Sequence, residues 1–274
     1  MKTRLLNCLF ALVCIGSSTA WGDDWPQWLG PGRNSVWNEK GIIRQFPKDG
    51  PKVLWKSSVA GGFSGPAVAD GKVFVPDFVA KSGDSTNDFN KRDERSGSER
   101  ILCFDAKTGA LLWKYDYPVT YKISYASGPR VTPSVVDGKV YGLGAEGDFF
   151  CLDANSGKPL WTKNFKKDYG APTPLWGFCG HPLVKGDLVY CLVGGEGSVA
   201  VAFNKNTGKQ VWKTISASEA GYCPPTLINA AGVDQLLIWD ADKLNSVELA
   251  SGKVYWSLPL KPNYGMSVSA PVKD

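Results

Sequence analysis

At 274 residues, 43% of them hydrophobic, the chain is long enough for one large core or for a modular one. Its net charge of +5 comes from 31 basic and 26 acidic residues in well-mixed order, so no nucleic-acid partner is expected. Thirty-one glycines, 18 prolines and 11 tryptophans predict many turns among many aromatics, the composition of a β-rich protein.

In chain order the first element reads as an export signal. Lys2 and Arg4 precede an apolar run over residues 5–15, and small residues ending at Ala20 fit a cleavage site. A run of eleven is too short to span a bilayer, and no later segment is long and apolar enough, so the mature chain is expected to have no transmembrane segment. Residues 1–20 hold two cations and no anion, so their removal lowers the charge from +5 to +3. The expected division is a signal over 1–20, an N-terminal arm over 21–52 and a repeat domain over 53–274. Five cysteines remain after the signal: Cys103, Cys151, Cys179, Cys191 and Cys223. Their odd number leaves at least one unpaired, no C-x-x-C suggests zinc, and most sit in apolar runs as small buried hydrophobes.

The repeat domain opens with residues 51–59, which read as an outermost strand carrying Trp55. A hairpin follows, with Asp70-Gly71 between two β-branched runs, the strongest short hairpin signal. The charge run over residues 90–95 alternates in sign and reads as a solvated loop. Then comes Cys103-Phe-Asp105-Ala-Lys-Thr-Gly109-Ala-Leu-Leu-Trp113, the first of four ungapped copies. The second carries Asp153, Gly157 and Trp161, the third Gly208 and Trp212, the fourth Gly252 and Trp256. Successive tryptophans are spaced by 58, 48, 51 and 44 residues, counting from Trp55. A strand-opening proline and a hairpin precede each copy, at Pro66, Pro133, Pro182 and, more loosely, Pro225.

Each repeat therefore predicts four short strands; in the second they fall over 133–136, 140–143, 149–152 and 160–162. Four strands in about 45 residues make one propeller blade. This reading absorbs Gly142-Leu-Gly144-Ala-Glu-Gly147, which on paper matches a dinucleotide-binding turn. That turn needs a helix after it, whereas Phe149-Phe-Cys-Leu152 predicts a strand, so the glycines belong to a hairpin. The repeated Asp, Gly and Trp residues are read as structural, each Trp lying over the Thr-Gly turn of a neighbouring blade.

The four copies resemble the A-x-D-x-x-T-G-x-x-x-W motif of the pyrroloquinoline-quinone (PQQ) repeat propellers, with Cys or Ser at the Ala position in three and Asn or Glu for Asp in two. Trp25-Pro-Gln-Trp28-Leu-Gly-Pro31 resembles the opening of secreted bacterial members similar to the outer-membrane assembly-factor propeller. The resemblance covers nearly all of the mature chain. It implies an all-β propeller of four-stranded antiparallel blades, and one of two functions. Quinoprotein dehydrogenases bind PQQ and calcium in an eight-bladed ring; others keep the fold without a cofactor. The adjacent cysteine pair of the alcohol dehydrogenases is missing here, and their calcium ligands and catalytic Asp match no position. The expectation is thus a non-catalytic exported scaffold, periplasmic or extracellular, binding a protein or other ligand without a cofactor or metal. A PQQ- and calcium-dependent dehydrogenase is the alternative, and a glycan- or peptide-binding surface propeller a third. The register at the ends, with the outermost strand over 51–59 and another innermost strand beginning near Pro271, predicts an incomplete ring: four full blades plus orphan end strands of eight. Such an arc is expected to be less stable than a longer parent.

Ligands on such propellers usually meet the face of the long loops. Here these are read over 117–129 and 166–180, with Glu146 and Glu196 at the tips of hairpins on the same side. Arg130, Glu146, Trp176, His181 and Glu196 are the candidate ligand contacts; no residue is expected to be catalytic. The competing reading has the loop aromatics plug blade ends and His181 line the channel.

Overall fold

A computed structural model describes residues 22–86 and 88–271. The export signal read over 1–20 lies outside them. Among the described residues, sixteen strands form four antiparallel sheets of four, each in sequential order. The first blade is β1 (Ala67–Ala69), β2 (Lys72–Ser82), β3 (Asp93–Asp105) and β4 (Leu111–Ile123). The second is β5 (Ser134–Val136), β6 (Lys139–Leu143), β7 (Asp148–Asp153) and β8 (Pro159–Asn164). The third is β9 (Leu183–Lys185), β10 (Leu188–Leu192), β11 (Ala200–Asn204) and β12 (Gln210–Thr214). The fourth is β13 (Thr226–Ala230), β14 (Val233–Trp239), β15 (Lys243–Val247) and β16 (Val254–Pro259). The fold is an all-β propeller built from these blades. The first strands of neighbouring blades touch, β1 to β5 and β5 to β9, and so line the inside of the arc.

Local chemistry explains the register. Ala69 pairs with Lys72 and Val136 with Lys139, so Asp70-Gly71 and Asp137-Gly138 are two-residue turns with positive φ at both positions. Such turns match the twist of the strands they join. Side chains then alternate between two blade interfaces. Phe150 and Leu152 of β7 pack with the first blade around Trp113, while Phe149 and Cys151 pack with the third around Phe203. Both faces of β7 are buried, which is why it reads as a continuous apolar run.

The outermost strands carry Trp113, Trp161, Trp212 and Trp256. Each pairs across its sheet with the small residue that opens the motif: Cys103, Cys151, Ala202 and Ser246. A bulge follows every one of these pairs. The Trp113 indole lies on Gly157 of the next blade and donates its Nε1–H to the Ala154 carbonyl at 3.1 Å. Trp161 meets Gly208 and Lys205 in the same way, and Trp212 meets Gly252 and Leu249. Asp105 and Asp153 cap these turns, each accepting from two backbone amides and one hydroxyl. Trp256 differs: it is 42% exposed and its Nε1 reaches the Gln235 side chain at 3.3 Å.

Four readings need correction. Residues 51–59 form no strand, although Trp55 still lies on Gly109 and donates to the Ala106 carbonyl at 2.9 Å. The segment read as a loop over 117–129 is strand as far as Ile123, because Tyr117, Val119, Tyr121 and Ile123 alternate with Pro118, Thr120 and Lys122 along β4. The charge run over 90–95 is loop only to Arg92; Asp93 is buried at the start of β3, where its carboxylate accepts from Thr86. The segment 166–180 also holds part of a short helix, α1 (Phe165–Tyr169), capped by Asn164.

The N-terminal arm crosses the inner strands. Trp25 pairs with Val68 of β1, and the Pro26 carbonyl accepts from Val135 of β5. Arg33 donates to the carbonyls of His181 and Pro182 ahead of β9 and of Pro225 ahead of β13, at 3.1–3.4 Å. One stretch of nine residues thus touches all four blades.

Candidate binding site

A cavity of about 400 Å³ opens where the chain enters each inner strand. Phe63, Arg130, Cys179 and Tyr222 line it, each three residues before a proline that opens an inner strand, Pro66, Pro133, Pro182 and Pro225, and Val268 lines it at the same distance from Pro271, whose expected strand falls on residues outside those described. One position of the repeat, used five times, supplies half of the wall. Trp28 from the arm and Trp176 from the 166–180 segment supply two more aromatic surfaces.

Trp28 is held by two neighbours. Its ring stacks on His181 at 4.9 Å and 11°, and the Arg33 guanidinium lies 5.5 Å over it. A second cavity of about 530 Å³ lies against the same Trp28–His181 pair and shares Phe63 and Arg130 with the first. His181 accepts the Thr132 amide on Nδ1 at 2.9 Å, which leaves Nε2 to carry the ring proton. Burial, then the nearby Arg33 charge, pushes its pKa down to about 3, so the ring is neutral and takes up no proton near neutral pH.

Arg130 faces the cup with four of its five N–H donors bound. They go to the carbonyls of Trp176 at 2.9 Å, Ser124 at 2.8 Å, Tyr125 at 2.7 Å and Gly128. Its charged plane lies 5.1 Å from the Phe63 ring. Burial lowers its pKa from the ordinary value. The Cys179 thiol donates toward the Trp176 and Gly177 carbonyls, and burial pushes it up to about 12, so it is no thiolate nucleophile. Tyr222 is 5% exposed, and its ring meets Trp176 at 5.4 Å and 59°. Its hydroxyl is the one buried side-chain polar atom among the described residues without a hydrogen-bond partner. The Trp176 backbone lies close enough to favour its ionised form, short of hydrogen-bond geometry, but burial dominates and raises its pKa.

Of the five residues read as ligand contacts, Arg130, Trp176 and His181 share this cup. Glu146 does not. It is buried and fastens three segments, accepting from the Lys122 amide at 2.7 Å, Lys166 Nζ at 2.6 Å and Thr173 Oγ1 at 2.9 Å. Glu196 lines a separate cavity of about 500 Å³ with Arg92, Thr173 and Glu219. Phe63, Tyr222 and Val268 escaped sequence reasoning, although their common distance from the repeat prolines was the signal that marks them.

The comparisons with known proteins agree with this fold. A family model described as "Outer membrane protein assembly factor BamB" matches residues 97–273. The chain is 26% identical over 228 residues to outer membrane protein assembly factor BamB of Burkholderia pseudomallei, an overlap of 71% of this chain and 55% of that protein. It is 34% identical over 112 residues to the quinoprotein ethanol dehydrogenase of Pseudomonas aeruginosa, covering 38% of this chain and 17% of that one. Among solved structures, the quinohemoprotein alcohol dehydrogenase of Comamonas testosteroni superposes with a TM-score of 0.58 at 17% identity, over 87% of this chain and 41% of that one. The chain spans about half the length of the assembly factor that it matches.

Proposed function

The chain belongs to the PQQ-repeat propeller family described as outer membrane protein assembly factor BamB, and from that premise we propose that it is an exported, non-catalytic scaffold binding a protein or other ligand. The observation that carries this reading is the chemistry of the cup. Its cation has four of its five donors bound to backbone carbonyls, its thiol is protonated, and its imidazole is neutral with no acidic or basic role near neutral pH. Such a wall holds a ligand by contact and shape rather than by bond-making.

The likeness to quinoprotein dehydrogenases raises PQQ with calcium as the second reading. The cup does not fit that pair. PQQ is a tricarboxylate, and among the described residues the one cation lining the cup is Arg130, with four of its five donors already bound. Burying several carboxylates against one such cation leaves charge uncompensated. Among the described residues no Asp or Glu lines the cup to hold calcium.

The name of the assembly factor supports a protein partner, and its outer-membrane setting supports export with the signal over 1–20, the arm over 21–52 and the propeller over 53–274. The Trp–Gly contacts and the caps at Asp105 and Asp153 are assigned a structural role only. The test is capture from envelope extract by the immobilised full chain, beside glycan arrays. Retention of a defined protein that is lost in Trp176→Ala, with melting unchanged, supports the reading. Binding to glycans alone favours the surface-lectin alternative, and retention of nothing by either route contradicts the scaffold.

A further inference from the structure

We propose that the cup recognises one neutral aromatic ring bearing a hydrogen-bonding substituent, a phenol or an indole. The proposal names the ligand class of the site above and rests on the binding reading. Four aromatic side chains, Trp28, Phe63, Trp176 and Tyr222, face a cavity of about 400 Å³, near the small end of the range for ligand sites.

Charge decides between ligand classes. Aromatic cages often take quaternary cations, but Arg130 and, behind Trp28, Arg33 oppose a cation here. An anion would find four of the five Arg130 donors already bound to the Trp176, Ser124, Tyr125 and Gly128 carbonyls. A sugar needs many polar partners, and few are free. A neutral ring suits both features left: aromatic faces, and a guanidinium plane already lying against the Phe63 ring.

The independent observation is Tyr222. Its hydroxyl is buried without a partner although the ring lines the cup. Buried hydroxyls are nearly always bonded, so this one, near the Trp176 backbone but outside hydrogen-bond geometry, is unused bonding capacity at the cup wall. A phenol oxygen supplies an acceptor for it. The ring can come from a small molecule or from a tyrosine or tryptophan side chain of a partner; the chemistry is the same.

The test is calorimetric titration of the full chain with 4-methylphenol, 3-methylindole, toluene, 4-methylcyclohexanol and a capped Gly-Tyr-Gly peptide. The two substituted rings are expected to bind at least roughly tenfold more tightly than 4-methylcyclohexanol. Tyr222→Phe is expected to weaken 4-methylphenol roughly tenfold and leave toluene unchanged. Peptide binding as tight as that of 4-methylphenol supports a partner side chain, and 4-methylphenol without the peptide supports a free small aromatic. Trp176→Leu, a second variant, should weaken every ring. Equal affinity for 4-methylcyclohexanol and 4-methylphenol, or no binding of any ring up to about 10 mM by folded protein, overturns the proposal. If rings fail while the envelope protein is still captured, only this inference falls; if capture fails too, the scaffold reading falls with it.

Discussion

A Cβ placed on Gly157 would sit 2.5 Å from the indole of Trp113, which reaches it from the preceding blade. That contact joins two blades through one missing methyl group. Gly157 also has φ +70°, where an L side chain is strained. Gly157→Ala should therefore cost about 3 kcal/mol, from backbone strain and overpacking together. Gly138→Ala is the control, because φ is +68° there with nothing within 4 Å. It should cost only about 1 kcal/mol. Urea denaturation of both variants checks the difference, and equal losses would mean that the indole contact contributes nothing.

Tyr222→Phe removes a buried hydroxyl that has no partner. Stability should rise by about 1 kcal/mol, since the penalty of an unmet polar group disappears while the ring stays. A lower denaturation midpoint for the variant would show that the hydroxyl is bonded in the folded chain.

Two buried groups give opposite pH dependences. Glu99 accepts from Tyr121 at 2.5 Å, from the Ala145 amide at 2.9 Å and from Tyr117, and burial raises its pKa above 4.5. A raised carboxyl contributes stability below its unfolded value and loses it as pH rises through the folded one. Glu99→Gln should flatten that decline above pH 4.5. His181, with its pKa lowered from 6.5 to about 3, does the reverse: its contribution is present above 6.5 and is lost as pH falls toward 3. His181→Asn should flatten stability over that window. Denaturation midpoints across pH 3–8 for the three proteins separate the effects. Parallel curves for wild type and either variant contradict the assignment for that residue.

The blade register was legible because each of its signals is local. Asp70-Gly71 and Asp137-Gly138 demand positive φ, and every Trp stands four residues after its Gly. The length of β4 is legible too, in the alternation of Tyr117, Val119, Tyr121 and Ile123, although Pro118 inside that run also suits a loop. Glu146 was not legible, since a carboxylate at a hairpin tip looks solvated until Lys122, Lys166 and Thr173 arrive from elsewhere in the chain. Gly144 stands in a turn and also leaves room for the Glu99 carboxylate and the Tyr117 hydroxyl, where a Cβ would collide. The cup is dispersed in sequence, one residue per repeat, and only the arc brings Phe63, Arg130, Cys179, Tyr222 and Val268 together.

Arg33 ties the arm to the third and fourth blades through three carbonyls. Arg33→Gln should loosen that end of the arm and speed tryptic cleavage at Lys40 and Arg44 several-fold, with the blades remaining intact. Unchanged cleavage would show that the Trp25 and Pro26 contacts hold the arm without it.

The most direct test of a non-catalytic cup is reconstitution of the purified full chain with PQQ and calcium, followed by dialysis and a dye-reduction assay with ethanol. The account predicts no quinone absorbance retained and no dye reduced above the rate of free PQQ. Retained quinone with calcium-dependent turnover would contradict it.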